Sequence, residues 1–184
     1  MVRGTVTYNH VLGRWIMERM IMMRWMGILL LGLAACQEPL DLALPSADEI
    51  ESYYAYQGRL DAELSGNVAT VRVGQDAQQL RRGGSLWAKV GPYIFLFTEE
   101  THQLFEDFPG LAGVRIVTTV GDAEVASVLL ARDELSEVLW RRGMNIAGQA
   151  RRDGTKRVTL MSDLVRWGEQ HTEFEYNPRY TSQR

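Results

Sequence analysis

Glu99-Glu100-Thr101-His102 sets a carboxylate three residues before an imidazole, a spacing that puts both groups on one face of a helix. Di-iron bundles use that pair twice, with further glutamates from facing helices, whereas here it occurs once and is followed by Glu106. A solvated helix face is the simpler reading, and no metal is assigned. His171 lies near Glu173 and Glu175 after a helical stretch, where the helix dipole favours a cation, so a capping role comes first. The pairs Arg81-Arg82, Arg141-Arg142 and Arg151-Arg152, with Lys156-Arg157, offer guanidinium forks for phosphate or carboxylate groups. Glu134, Glu137, Asp153 and Asp163 lie close in sequence, so ordinary surface ion pairing competes with that use. Trp140 directly precedes Arg141-Arg142; buried it is a core residue, and exposed it is an interface anchor. Trp140, Arg141, Arg142, Arg151 and Arg152 therefore form the candidate partner-binding set. There is no Gly-x-Ser-x-Gly elbow, P-loop, Gly-x-Gly-x-x-Gly or His-Glu-x-x-His, so no catalytic residue or cofactor is assigned.

The sole cysteine, Cys36, ends the run Leu33-Ala34-Ala35-Cys36. An apolar stretch, Trp25 to Leu33, precedes it, with Arg24 before that. A basic flank, a short apolar run and small residues describe an export signal, too short for a spanning helix of about 20 residues. The ending resembles the lipobox of bacterial lipoproteins. That resemblance implies cleavage before Cys36, lipid on its sulfur and acylation of its new amine. It also removes Cys36 as a nucleophile and implies residence in the cell envelope, anchored by lipid to a membrane. Gln37, rather than aspartate, after the cysteine favours delivery to the outer membrane, facing the periplasm. With Met1 as start the signal is 35 residues, longer than the usual span of about 15–30, and Met17, Met20, Met22 and Met23 offer later starts.

Removing residues 1–35 from 184 leaves 149, enough for one domain with its own core. The leader holds four arginines and one glutamate, so the rest carries 16 basic against 22 acidic residues, a net of −6. That balance argues against non-specific nucleic-acid binding, which depends on neutralising phosphates. It also leaves membrane attachment to the lipid. Residues 36–45, with Pro39 and Pro45, read as a flexible tether, and residues 46–184 as a single globular domain.

Along that domain, Ser46 and Glu49 match a capping box that opens a short helix to about Tyr54. Residues 59–64 and 68–73 alternate polar and apolar about Ser65-Gly66-Asn67, which predicts a hairpin. Asp76 to Arg82 predicts a turn or two of helix, ended by Gly83-Gly84. The spacing of Leu86, Val90, Tyr93, Phe97, Thr101, Leu104 and Phe108 predicts one helix kinked at Gly91-Pro92, with a strand plus a helix as the rival. Residues 113–120 and 124–130 make a second hairpin about Gly121-Asp122. A helix from Asp133 then carries Leu135, Val138, Leu139 and Ile146 on one face to about Arg151, and a last helix runs from about Ser162 to His171. Phe174 to Tyr180 is aromatic without periodicity. The expectation is an α+β two-layer domain: four antiparallel strands in two hairpins, in ββαββα order, with helices on one face. Val71, Val73, Val114, Ile116, Val125 and Leu135 are the expected core.

Functionally the sequence favours a non-enzymatic binding or assembly module, with another envelope protein or an anionic envelope component as partner. Its rivals are an envelope enzyme using Asp/Glu acid–base chemistry on an anionic substrate, and a purely structural lipoprotein.

Overall fold

A computed structural model describes residues 42–54 and 60–182. Cys36 and the leader lie outside the described residues, as does most of the expected tether. The domain is α+β, built on a five-stranded mixed sheet in the order β1-β2-β3-β4-β5. The strands are β1 (Leu60–Ser65), β2 (Val68–Gly74), β3 (Gly113–Val120), β4 (Ala123–Ala131) and β5 (Glu173–Tyr176). The helices are α1 (Ala47–Tyr53), α2 (Ala77–Leu96), α3 (Glu99–Asp107), α4 (Glu137–Asp153), α5 (Val158–His171) and α6 (Pro178–Thr181).

Both hairpins form in the expected places, β1 with β2 and β3 with β4. The expected count and direction of strands need correcting. β2 and β3 lie side by side in parallel, Val71 opposite Ile116, because the α2–α3 connection is long enough to carry the chain back to the starting edge. The centre of the sheet is thus a βαβ unit flanked by two hairpins. The fifth strand comes from the aromatic tail, where Phe174 faces Val128 and Tyr176 faces Ala126. Four residues are too few for alternation to stand out in the sequence.

Alternation gives the sheet one apolar face: Ala62; Ala69, Val71 and Val73; Val114 and Ile116; Val128 and Leu130, all at most 7 % exposed. These residues join Ile50, Tyr93, Leu104, Trp140 and Leu164, one from each of α1 to α5, in a single buried cluster. The opposite face carries Asp61, Glu63, Arg72, Arg115, Glu173 and Glu175, with Arg72 paired to Glu63 at 3.2 Å. The six expected core positions are all buried. A register shift between Thr118 and Thr119 brings Val125 against Leu80 and Ala88 of α2 in a small second cluster.

The helices depart from expectation in four ways. The chain passes through Gly91-Pro92 within α2 without the expected kink, and the break lies at the expected stop, Gly84 (φ 63°, ψ −154°), a conformation that glycine adopts at little cost. The long helix then ends at Leu96, and Thr98 caps a new one, α3, by accepting from the Thr101 amide. Residues 85–108 are therefore two helices, neither one kinked rod nor a strand plus a helix. Third, α4 starts at Glu137 after a 3₁₀ turn, Arg132–Glu134, so its phase is rotated. Trp140, Gly143, Ala147 and Ala150 make its buried stripe, and Val138 is 66 % exposed. α5 also begins earlier than expected, at Val158, with no side-chain cap.

Candidate functional site

The most enclosed concavity forms where the chain leaves β2. Gln75 follows the strand and stays in the ladder through its amide, which donates to the Thr119 carbonyl at 2.7 Å. Asp76 then caps α2, its Oδ1 accepting from the Gln78 amide at 2.5 Å and the Gln79 amide at 2.9 Å. Those amides, Gln79 foremost, hold its carboxyl below the usual carboxylate range and keep it ionised. The break at Gly84 folds α2 into an elbow, so its first turns and its later turns wall the same space.

That space is a cavity of about 380 Å³ lined by Gln75, Asp76, Gln79, Leu80, Trp87, Gly91, Ile94, Phe95 and Arg151 among others. A second, shallower one of about 650 Å³ shares Asp76, Gln79 and Trp87 and adds Arg82, Thr155 and Met161. Trp87 therefore stands between two halves of one groove. Two glycines make room for what lines it. A Cβ on Gly83 would come within 1.3 Å of the Trp87 ring, and one on Gly91 within 1.9 Å of Gln75 Nε2. Gln75 Oε1 is buried and finds no hydrogen-bond partner among the described residues. On the α4 side, Arg151 Nη2 donates to the Ile94 carbonyl at 2.8 Å, placing a cation at the carboxyl end of α2.

The candidate partner-binding residues are dispersed. Trp140 is 4 % exposed, with the His102 ring 5.1 Å and the Phe105 ring 6.2 Å from its own. It is a core residue. Arg141 and Arg152 lie eleven residues apart, near three full turns, and share the outer face of α4. Arg142 turns the other way, over the Trp167 ring at 4.8 Å, and Arg151 turns towards α2. Arg141 pairs with Glu137 at 3.8 Å. One of the five, Arg151, lines the groove.

The histidines have local partners. His102 meets Glu137 at 3.3 Å and Glu106 at 3.9 Å, whereas Glu99 accepts from Gln103, so the Glu-x-x-His pair does not converge. His171 meets Glu134 at 3.3 Å and packs on Trp167. Among the described residues no group of three His, Cys, Asp or Glu side chains is placed to hold a metal ion. At the end of α1, Tyr53 donates to Asp107 at 2.5 Å, which pushes the phenol up to about 12.

The groove was not legible as a site in the sequence. Its parts are a strand end, a cap and three glycines, and the sequence marks those glycines only as a helix stop at Gly83-Gly84 and a kink at Gly91-Pro92. Compared with family models, curated proteins and solved structures, the chain matches none.

Proposed function

We propose that this chain is a lipid-anchored protein of the bacterial cell envelope, whose domain works as a non-enzymatic binding or assembly module in the periplasm. The observation that carries it is Leu33-Ala34-Ala35-Cys36 after a basic flank and an apolar run, ahead of a folded domain whose first helix begins at Ala47. The domain's own features fit binding better than acid–base chemistry. Its most enclosed cavity gathers one carboxylate, Asp76, where the acid–base reading calls for two. No helix among the described residues is long and apolar enough to cross a membrane, so membrane attachment in this reading rests on the lipid.

The test is fractionation of full-length protein expressed in a bacterium. The wild type is expected in the membrane fraction with a diacylated, N-acylated Cys36 by mass spectrometry, and Cys36→Ser in the soluble fraction. An intact leader with unmodified Cys36 overturns the anchor. Pull-down from detergent-solubilised membranes then reads the module. A partner retained by wild type and lost by a folded Arg141→Glu/Arg142→Glu variant places it on α4 about that pair, and a partner retained by both excludes the pair.

A further inference from the structure

The groove in the elbow of α2 has no part in the anchor, and what it could hold follows from its walls. Trp87, Leu80, Ile94 and Phe95 give it flat apolar surface, and about 380 Å³ suits a small organic molecule. The polar groups facing that space are unequal in what they still need. Arg151 sits on the Ile94 carbonyl at the carboxyl end of α2. Asp76 spends one oxygen, Oδ1, on both capping amides, while Oδ2 makes no hydrogen bond among the described residues and the charges of Arg82 and Arg81 act on the carboxylate. Its neighbour Gln75 carries an acceptor, Oε1, that is buried without a hydrogen-bond partner among the described residues. The terminal amide torsion of glutamine is broad and soft, so a donor arriving in the cavity can be met by rotation of that group. Two adjacent acceptors, one of them anionic, call for N–H donors on a cation, and the face of a tryptophan attracts a cation as well.

Gly91 leaves the space that the Gln75 carboxamide occupies, and Gly83 leaves the space for the Trp87 ring. The site lies outside the carboxyl end of β2, where that strand runs parallel to β3.

We propose that this groove binds a small organic ammonium ligand with a flat apolar body, its nitrogen held by Asp76 and Gln75 and its body packed on Trp87. The inference goes beyond the anchored-module reading and does not depend on it, because the groove is built entirely from residues of the folded domain.

Full-length protein in mild detergent is titrated with phenethylamine and, separately, with phenylacetate, which has the same ring and the opposite charge. Phenethylamine is expected to bind saturably by calorimetry, and phenylacetate is not. Asp76→Asn removes the charge but keeps a competent N-cap, so the melting temperature holds while phenethylamine binding weakens about tenfold. Gly91→Ala displaces the far end of a flexible side chain and is expected to weaken binding in a folded protein. Trp87→Leu, read alongside its melting curve, removes the aromatic wall. Phenylacetate binding as tightly as the amine, amine binding unchanged in Asp76→Asn, or no saturable binding up to about 10 mM each overturns the proposal.

Discussion

The two ends of the central βαβ unit solve the same problem in opposite ways. At the amino ends of β2 and β3, loop carbonyls face the interior, and one side chain satisfies them. Arg132 donates from Nε to the Leu111 carbonyl at 2.5 Å, from Nη1 to Phe105 at 2.7 Å and from Nη2 to Phe108, with its guanidinium 5.0 Å over the Phe105 ring. Its own amide donates to Ala112, and the Ala112 amide to Asn67, so that end is stitched shut. Burial pulls the Arg132 guanidinium down from its ordinary pKa, yet three carbonyl partners compensate for the lost water. At the carboxyl end of β2 the chain leaves a cavity, and beside it an acceptor, Gln75 Oε1, with nothing to accept. Polar groups at the closed end hold the fold together. At the open end Asp76 and Arg151 also serve the fold, but Gln75 Oε1 is placed without being used by it, which is what a binding site requires.

The largest effect is expected midway between these ends. Val71 and Ile116 face each other across the parallel pair and are both 0 % exposed. Val71→Asp buries an unpaired carboxylate among aliphatic side chains and should cost more than about 4 kcal/mol. Soluble expression should be lost. A normal yield with an unchanged melting temperature would mean that this face of β2 is not packed against the helices.

Arg132→Ala ranks next and separates the ends directly. It strands three carbonyls that face the interior and removes the guanidinium from the Phe105 ring, a loss of about 3 kcal/mol. Arg132→Lys keeps the charge but offers a point donor in place of the fork, so it should recover only part of that. A Lys variant as stable as wild type in urea titration would show that charge alone closes this end.

How much of this was legible in the sequence follows from the range of the forces involved. Local signals were read correctly: the Ser46–Glu49 capping box forms with both reciprocal bonds, and both hairpins sit about their Gly-containing turns. What depended on distant partners was not. Nothing local in residues 75–112 says that the chain returns parallel to β2, and Glu173–Tyr176 becomes a strand only because the edge of β4 is there to pair with it. The stop at Gly83-Gly84 is a local signal and holds, at Gly84, whereas Pro92, which objects to a helix locally, is carried within α2 without the kink that Gly91-Pro92 suggests. Trp140 was ambiguous in the sequence. Whether that side chain meets Phe105 or solvent depends on which stripe of α4 faces α3, and the buried stripe runs through Trp140, Gly143, Ala147 and Ala150. The arginines were visible as a basic stretch, but their separation into three directions needs the helix phase and the positions of Trp167 and Ile94. The groove needed all of these at once.

The smallest expected effect sharpens the comparison most, because its sign is opposite to that of the others. Gln75→Leu replaces a buried acceptor that has no donor with an apolar group of similar size, and the backbone amide that bonds Thr119 remains. An unsatisfied buried polar group costs about 1–3 kcal/mol, and the rest of the Gln75 side chain is only half buried, so the gain should be near the lower end, about 1 kcal/mol. For a domain of this size that raises the melting temperature by about 2–4 °C. Arg132→Ala and Gln75→Leu should therefore move stability in opposite directions, though each removes a polar side chain at one end of the same parallel pair. If Gln75→Leu instead melts several degrees lower, Oε1 has a partner in solution. The carboxyl end of β2 would then be as fully satisfied as the end that Arg132 closes, and the asymmetry that marks it as a binding site would be gone.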